Sequence, residues 1–274
     1  MLTSIVLSTH QAQFQAVAFK GDLAGNLSRI AGLGYDGVEL AVRDPRLVDE
    51  AALVELVRSF RLRVPAIGTG QAWGEEGLSF TSADPAIRAA ALERACSHVP
   101  LAARLEALII IGLLRGITPR GQAQAQSIEY LAEALRDLCR AAAEKNIRVA
   151  LEPLNRYETD LINTMADGLA LIERVGAPNL GLLLDTFHMN IEEVSIEQSI
   201  RDCGPRLFHF HVADSNRWHP GAGHLDFGSI LRTLDETGYG GFVSGEFMPK
   251  PDAETAAELG LAHLRRVHDD RRPR

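Results

Sequence analysis

Eight short apolar runs, each followed by a helix-patterned segment, predict an α/β fold: a (β/α)8 TIM barrel formed by residues 1–274 as one domain. Two more observations agree. The length of 274 residues is close to the roughly 250 that such a barrel needs. The runs are almost continuously apolar, as strands buried on both faces are. A doubly wound open sheet is the alternative, but no Gly-x-Gly-x-x-Gly follows the first run.

The elements follow in order. SIVLS (4–8) is the first strand, and residues 23–33 have helical spacing with Gly34 as a C′ stop. GVEL (37–40) is the second strand, with Glu39 near its tip. A helical pattern over 46–60 leads to the third, VPAIGT (64–69). Asp84-Pro85 is an N-cap and N1 pair that opens one long helix to about Glu106. ALIIIGL (107–113) is the fourth strand, followed by a helix over 128–145. The fifth and sixth strands end at Glu152 and Asp185, with a helix near 166–175 between them. Ser195 to Gln198 matches a capping box and opens a short helix that Gly204 closes. The strand ending at His211 follows, then a helix near 229–237, the strand ending at Glu246 and a last helix over 252–268. The tail from about Asp269 to Arg274 reads as frayed.

Composition excludes several classes. The chain is 46% apolar, with a net charge of −8, which argues against nucleic acid or anionic membrane as partners. No signal peptide opens it, and the longest apolar run, 107–114, is far short of a bilayer span. Cys96, Cys139 and Cys203 are too scattered for a disulfide framework or a thiolate metal site, which fits a reducing cytoplasm.

The chemistry gathers at the strand tips. Glu152, Asp185, His211 and Glu246 each end a strand, and the C-terminal ends of the strands are where such barrels build active sites. Three carboxylates brought together repel one another unless a cation lies between them. Three oxygen ligands and one imidazole suit one divalent metal ion, Mn²⁺ best, with Co²⁺, Mg²⁺ or Fe²⁺ as alternatives. His209 shares the face of His211, one layer deeper.

The segments LEPLNRYETDLINT (151–164), LLLDTFHMNIEE (182–193), FHFHVADSNRWHPGAGHLDF (208–227) and GFVSGEF (241–247) resemble the xylose isomerase-like barrels, and within them the ketose 3-epimerases. AFKGDL (18–23), AVRDP (41–45), IGTGQAW (67–73) and IGLLRG (111–116) resemble the 5-keto-L-gluconate epimerase branch. The resemblance implies metal ligation by Glu152, Asp185, His211 and Glu246, and acid/base roles for Glu152 and Glu246. It implies contacts from Glu158, His188 and Arg217 around the reacting oxygens. It further implies epimerisation through a cis-enediolate, a ketose or keto-uronate substrate, and a homodimer or homotetramer. A neutral ketose 3-epimerase and a hydroxypyruvate isomerase are the neighbouring activities, and a barrel that binds sugar without turnover is a remoter one. Apurinic endonucleases share the barrel but need more His ligands and a basic face. A keto-uronate would need a cation far from the metal, and Arg43 and Arg115, just after the second and fourth strands, are placed to supply one; a surface arginine paired with Asp44 or another acidic neighbour is the competing role.

Overall fold

The computed structural model describes residues 1–270. Nine strands make one parallel sheet: β1 Leu2–Ser8, β2 Phe19–Lys20, β3 Gly37–Ala41, β4 Ala66–Gly68, β5 Leu108–Ile111, β6 Val149–Leu151, β7 Leu180–Asp185, β8 Leu207–Val212 and β9 Phe242–Gly245. Their order is β2-β1-β3-β4-β5-β6-β7-β8-β9, and β1 also pairs with β9. That second pairing closes eight strands into the expected barrel, a xylose isomerase-like TIM barrel in architecture. The two-residue β2 lies outside the ring, beside β1.

Helices cover the outside and bury one stripe each. Leu23–Leu33 forms as expected, stopped by Gly34 in the left-handed region at φ 89°. The helix expected from Asp84 to Glu106 is two helices, Pro85–Ser97 and Val99–Leu105. Pro100 has no N–H to continue the first, and the fully buried His98 marks the break. The His98 ring sits between the carbonyl oxygens of Arg94 and Val42, at 2.8 Å from each. Asp252 caps Ala253–Asp269, so the chain is still helical where fraying was expected to start, and residues 271–274 lie outside the described part.

The pleat does the positioning. Side chains two residues apart face the same way, so the register Leu183↔His209 and Asp185↔His211 sends those four residues inward in two layers. His211 pairs in turn with Ser244, which puts Glu246 two residues further on at the mouth. Inward positions lower in the barrel carry Ala66, Leu108, Ile110, Ala150 and Leu183, which form their own buried cluster. The main core lies between barrel and helices. No described helix is long and apolar enough to cross a membrane.

Candidate metal and active site

Glu152, Asp185, His211 and Glu246 each offer a ligand atom, and these atoms lie within 4.8 Å of one another. His211 Nδ1 stands 3.8 Å from Glu152 Oε1, 3.8 Å from Asp185 Oδ2 and 3.9 Å from Glu246 Oε2. Asp185 and His211 are each fixed from behind. Asp185 accepts the backbone N–H of Phe187 at 2.7 Å on Oδ1, capping the helix Thr186–Glu192, which leaves Oδ2 for the cavity. Thr186 ties β7 to β8, donating its hydroxyl to Ala213 O at 2.6 Å and accepting Ala213 N–H at 3.0 Å.

His211 is held by a residue whose part the sequence left open. Glu39 is buried and accepts from His211 Nε2 at 2.9 Å, from His209 Nε2 at 2.8 Å and from Ser244 Oγ at 2.8 Å. This fixes the tautomer of His211, with the proton on Nε2 and the lone pair on Nδ1 aimed at the carboxylates.

The electrostatics show what the cluster lacks. Burial, followed by repulsion from Glu246, holds the Glu152 carboxyl well above the usual range. Burial raises Asp185 too, and pushes Glu246 up to about 7. Burial would lower His211, but Glu39 and the cluster carboxylates outweigh it and raise the imidazole well above its ordinary value. Glu152 Oε1, Asp185 Oδ2 and His211 Nδ1 are all buried without a hydrogen-bond partner. Orphaned atoms converging from two oxygens and one nitrogen, with the Glu246 carboxylate beside them, are what a divalent cation satisfies once it displaces their protons, so the residues fit a metal.

Around the cluster lies a cavity of about 300 Å³. His188 lines it, buried in the helix after β7. Its Nδ1 accepts from Asn155 Nδ2 at 2.7 Å and from Asn155 N–H at 3.3 Å, so Nε2 carries the proton. Nε2 is buried with no partner, 3.9 Å from Glu152 Oε1. Burial, with Arg217 adding to it, drives this imidazole well below its ordinary pKa, so it is a neutral donor. Arg217 Nη1 donates to Glu158 Oε1 at 2.6 Å, and Nη2 lies 3.7 Å from Glu246 Oε2. The guanidinium sits over Phe14 and Phe187, 5.2 and 4.7 Å from the ring centroids.

The structure does not bring the two arginines expected to meet a substrate carboxylate onto this wall. Arg115 is fully buried and donates to the carbonyl oxygens of Gly112 (3.0 Å), Leu161 (3.2 Å), Ile162 (3.2 Å) and Ile111 (3.4 Å). It braces the loop after β6 against the tip of β5. Arg43 lies behind the wall, donating to Glu75 at 2.9 Å with Glu76 at 3.4 Å. This is the competing role, pairing with an acidic neighbour, met by Glu75 and Glu76 rather than by Asp44, which pairs with Arg46 and Arg94. Glu75 and Trp73 line the cavity from a short helix, Gln71–Glu76, that Gly70 and Gly74 hid in the sequence. The loop after β8 is braced by Asp214, which accepts backbone N–H groups of Ser215, Gly221 and Leu225 at 2.8, 2.8 and 3.2 Å. Its neighbour Asp226 caps the next helix.

A sequence profile for the family described as xylose isomerase-like TIM barrel matches residues 27–267. An L-ribulose 3-epimerase of Methylomonas sp. (strain DH-1) is 35% identical over 240 residues, covering 84% of this chain and 82% of that protein. A D-psicose 3-epimerase of Agrobacterium fabrum is 32% identical over 245 residues, covering 85% and 81%. The crystal structure of a D-allulose 3-epimerase from Methylomonas sp. in complex with D-allulose superposes with a TM-score of 0.81 at 27% identity, covering 97% of each chain.

Proposed function

The chain belongs to the xylose isomerase-like TIM barrel family and is a carbohydrate epimerase by its homologues; from that premise we propose that it inverts C3 of a ketose with the help of one divalent metal ion. Glu152, Asp185, His211 and Glu246 would hold the ion. Its donor set of three carboxylates and one imidazole, without thiolate, favours Mn²⁺, with Co²⁺, Mg²⁺ or Fe²⁺ as substitutes. When bound, such a cation supplies Lewis acidity to the substrate's carbonyl and neighbouring hydroxyl.

The protein groups do the rest. Epimerisation takes a proton from one face of C3 and returns one to the other, through a cis-enediolate. Glu152 follows β6 and Glu246 follows β9, so the two carboxylates reach the cavity from different sides of the barrel. Each serves as base for one epimer and as acid for the other. His188 donates its Nε2 proton to the enediolate oxygen and, being neutral, does not itself repel the cation. Arg217, steadied by Glu158 and flanked by Phe14 and Phe187, adds positive charge on the side of Glu246 and keeps water out.

A neutral ketose fits the cavity better than a keto-uronate. Away from the cluster the wall carries Gln13, Gln71 and Glu75, besides apolar Phe14, Val17 and Trp73. A carboxylate in that wall repels a uronate and accepts from a hydroxyl. The keto-uronate reading, 5-keto-L-gluconate and D-tagaturonate, is the second one. It rests on the resemblance of the N-terminal segments and on Arg43, which stands one ion pair behind the wall at Glu75.

The observation that carries the proposal is the set of orphaned ligand atoms gathered under a cavity that also presents His188 and Arg217. A panel of D-tagatose, D-fructose, D-psicose, D-tagaturonate and 5-keto-L-gluconate, assayed with the metal-reconstituted enzyme, tests it. Neutral ketoses should turn over fastest. A uronate preference of tenfold or more would reverse the substrate choice, and no turnover of any member would end the epimerase reading.

A further inference from the structure

The opposite end of the barrel holds a second cavity, of about 470 Å³, at the starts of the strands. Four arginines line it, Arg58, Arg63, Arg104 and Arg148, against one carboxylate, Glu106. This local excess runs against the chain's net charge of −8. Arg104 has Glu50 at 3.7 Å, and Arg58 donates to the Arg104 carbonyl at 3.2 Å. Among the described residues, Arg63 and Arg148 make no ion pair; each stacks on an aromatic ring, Arg63 on Phe242 and Arg148 on Phe208, both at 4.8 Å.

The stacking has a direction. Arg63 precedes β4 but lies over a ring of β9, and Arg148 precedes β6 but lies over a ring of β8. Both guanidiniums therefore reach inward across the mouth, and their two rings stand on neighbouring strands. A guanidinium held by its face keeps its edge N–H groups free, in the fork that matches an oxyanion. The cavity has more room than a bare phosphate group fills. His209 lines it too, with its Nε2 bound to Glu39.

We propose that this N-terminal mouth of the barrel is a binding site for a small phosphate-bearing anion, held chiefly by the forks of Arg63 and Arg148. The site is separate from the metal cluster and does not depend on the reaction proposed above.

The test is calorimetric titration of the metal-loaded protein with glycerol 3-phosphate and, separately, with inorganic phosphate. Three proteins are compared: the unaltered chain, Arg63→Gln/Arg148→Gln, and Arg120→Gln/Arg232→Gln, which removes the same charge from exposed positions elsewhere. Saturable one-to-one binding is expected, weakened at least tenfold in the mouth variant and unchanged in the control. If the double variant fails to fold, Arg148→Lys, which keeps the charge and loses the fork, should still weaken binding severalfold. Tighter binding of the ester identifies an organic phosphate as the natural ligand, and equal binding identifies free phosphate; both fall within the proposal. No saturation up to about 10 mM, unchanged binding in the mouth variants, or an equal loss in the control overturns it.

Discussion

Replacing Glu39 by Gln tests how the site is held together without touching a ligand. Glu39 Oε2 accepts from His209, His211 and Ser244 at 2.8–2.9 Å, and Oε1 accepts from His211 at 3.1 Å. The Gln amide can keep one acceptor but turns the other into a donor facing an N–H, and it removes the charge that makes His211 electron-rich. Loss of such an outer partner weakens metal binding by roughly 10- to 100-fold, or about 1.4–2.8 kcal/mol. The upper end is expected here, because Glu39 is 2% exposed and solvent cannot replace it. Chelator-competition titration of the purified protein reads the affinity directly. Asp185→Asn, which alters a ligand, should lose more. A Glu39→Gln protein that binds metal within twofold of the unaltered chain would refute the role given to Glu39.

Other outcomes follow from the same geometry. In Gly112→Ala the added Cβ would meet Glu152 Oε2 at 2.6 Å, so the protein should fold normally and lose at least tenfold in turnover as the carboxylate is displaced; unchanged kinetics would show that Glu152 moves freely. In the metal-free protein Glu246 is raised to about 7, above its unfolded value of about 4.3, and must lose its proton to bind metal. Metal affinity should therefore fall as pH drops through 7. The stability that protonated Glu246 contributes to the metal-free fold is fully present below the unfolded value and is lost as pH rises through about 7, so the gain in melting temperature on adding metal should be larger at pH 8 than at pH 6. Arg115→Met should cost at least about 3 kcal/mol, seen as a lowered urea midpoint, because it gives up four buried hydrogen bonds from a charged donor; a stable variant with a selective loss on D-tagaturonate would return Arg115 to substrate binding.

The clustering of Glu152, Asp185, His211 and Glu246 was legible in the sequence because strand periodicity carries it. In LLLD and FHFH the chemical residue ends an apolar run, and a period of two fixes the face it shares. The eight-strand alternation was legible for the same reason. What holds these side chains in place was not. The partners of Glu39 lie 170 and 205 residues away, on β8 and β9, and no local pattern links them. Arg115 follows a strand tip and read as a cation facing substrate, but the carbonyls that capture it belong to a loop 46 and 47 residues later. The break at His98 was present as Pro100, masked by an otherwise continuous helical pattern. The helix that carries Trp73 is hidden in the sequence because the glycines beside it weaken any helix signal.

The most direct measurement of the central claim is solvent hydrogen exchange at substrate C3. The metal-loaded enzyme is incubated with D-tagatose or D-psicose in deuterated water, and the product is examined by NMR, alongside Glu152→Gln and Glu246→Gln. Two carboxylates working from opposite faces of C3 should place solvent deuterium at C3 of each product, with neither variant epimerising in either direction. A product that keeps the substrate's own hydrogen, or a variant that still epimerises at a substantial rate with its metal in place, would contradict the two-carboxylate site.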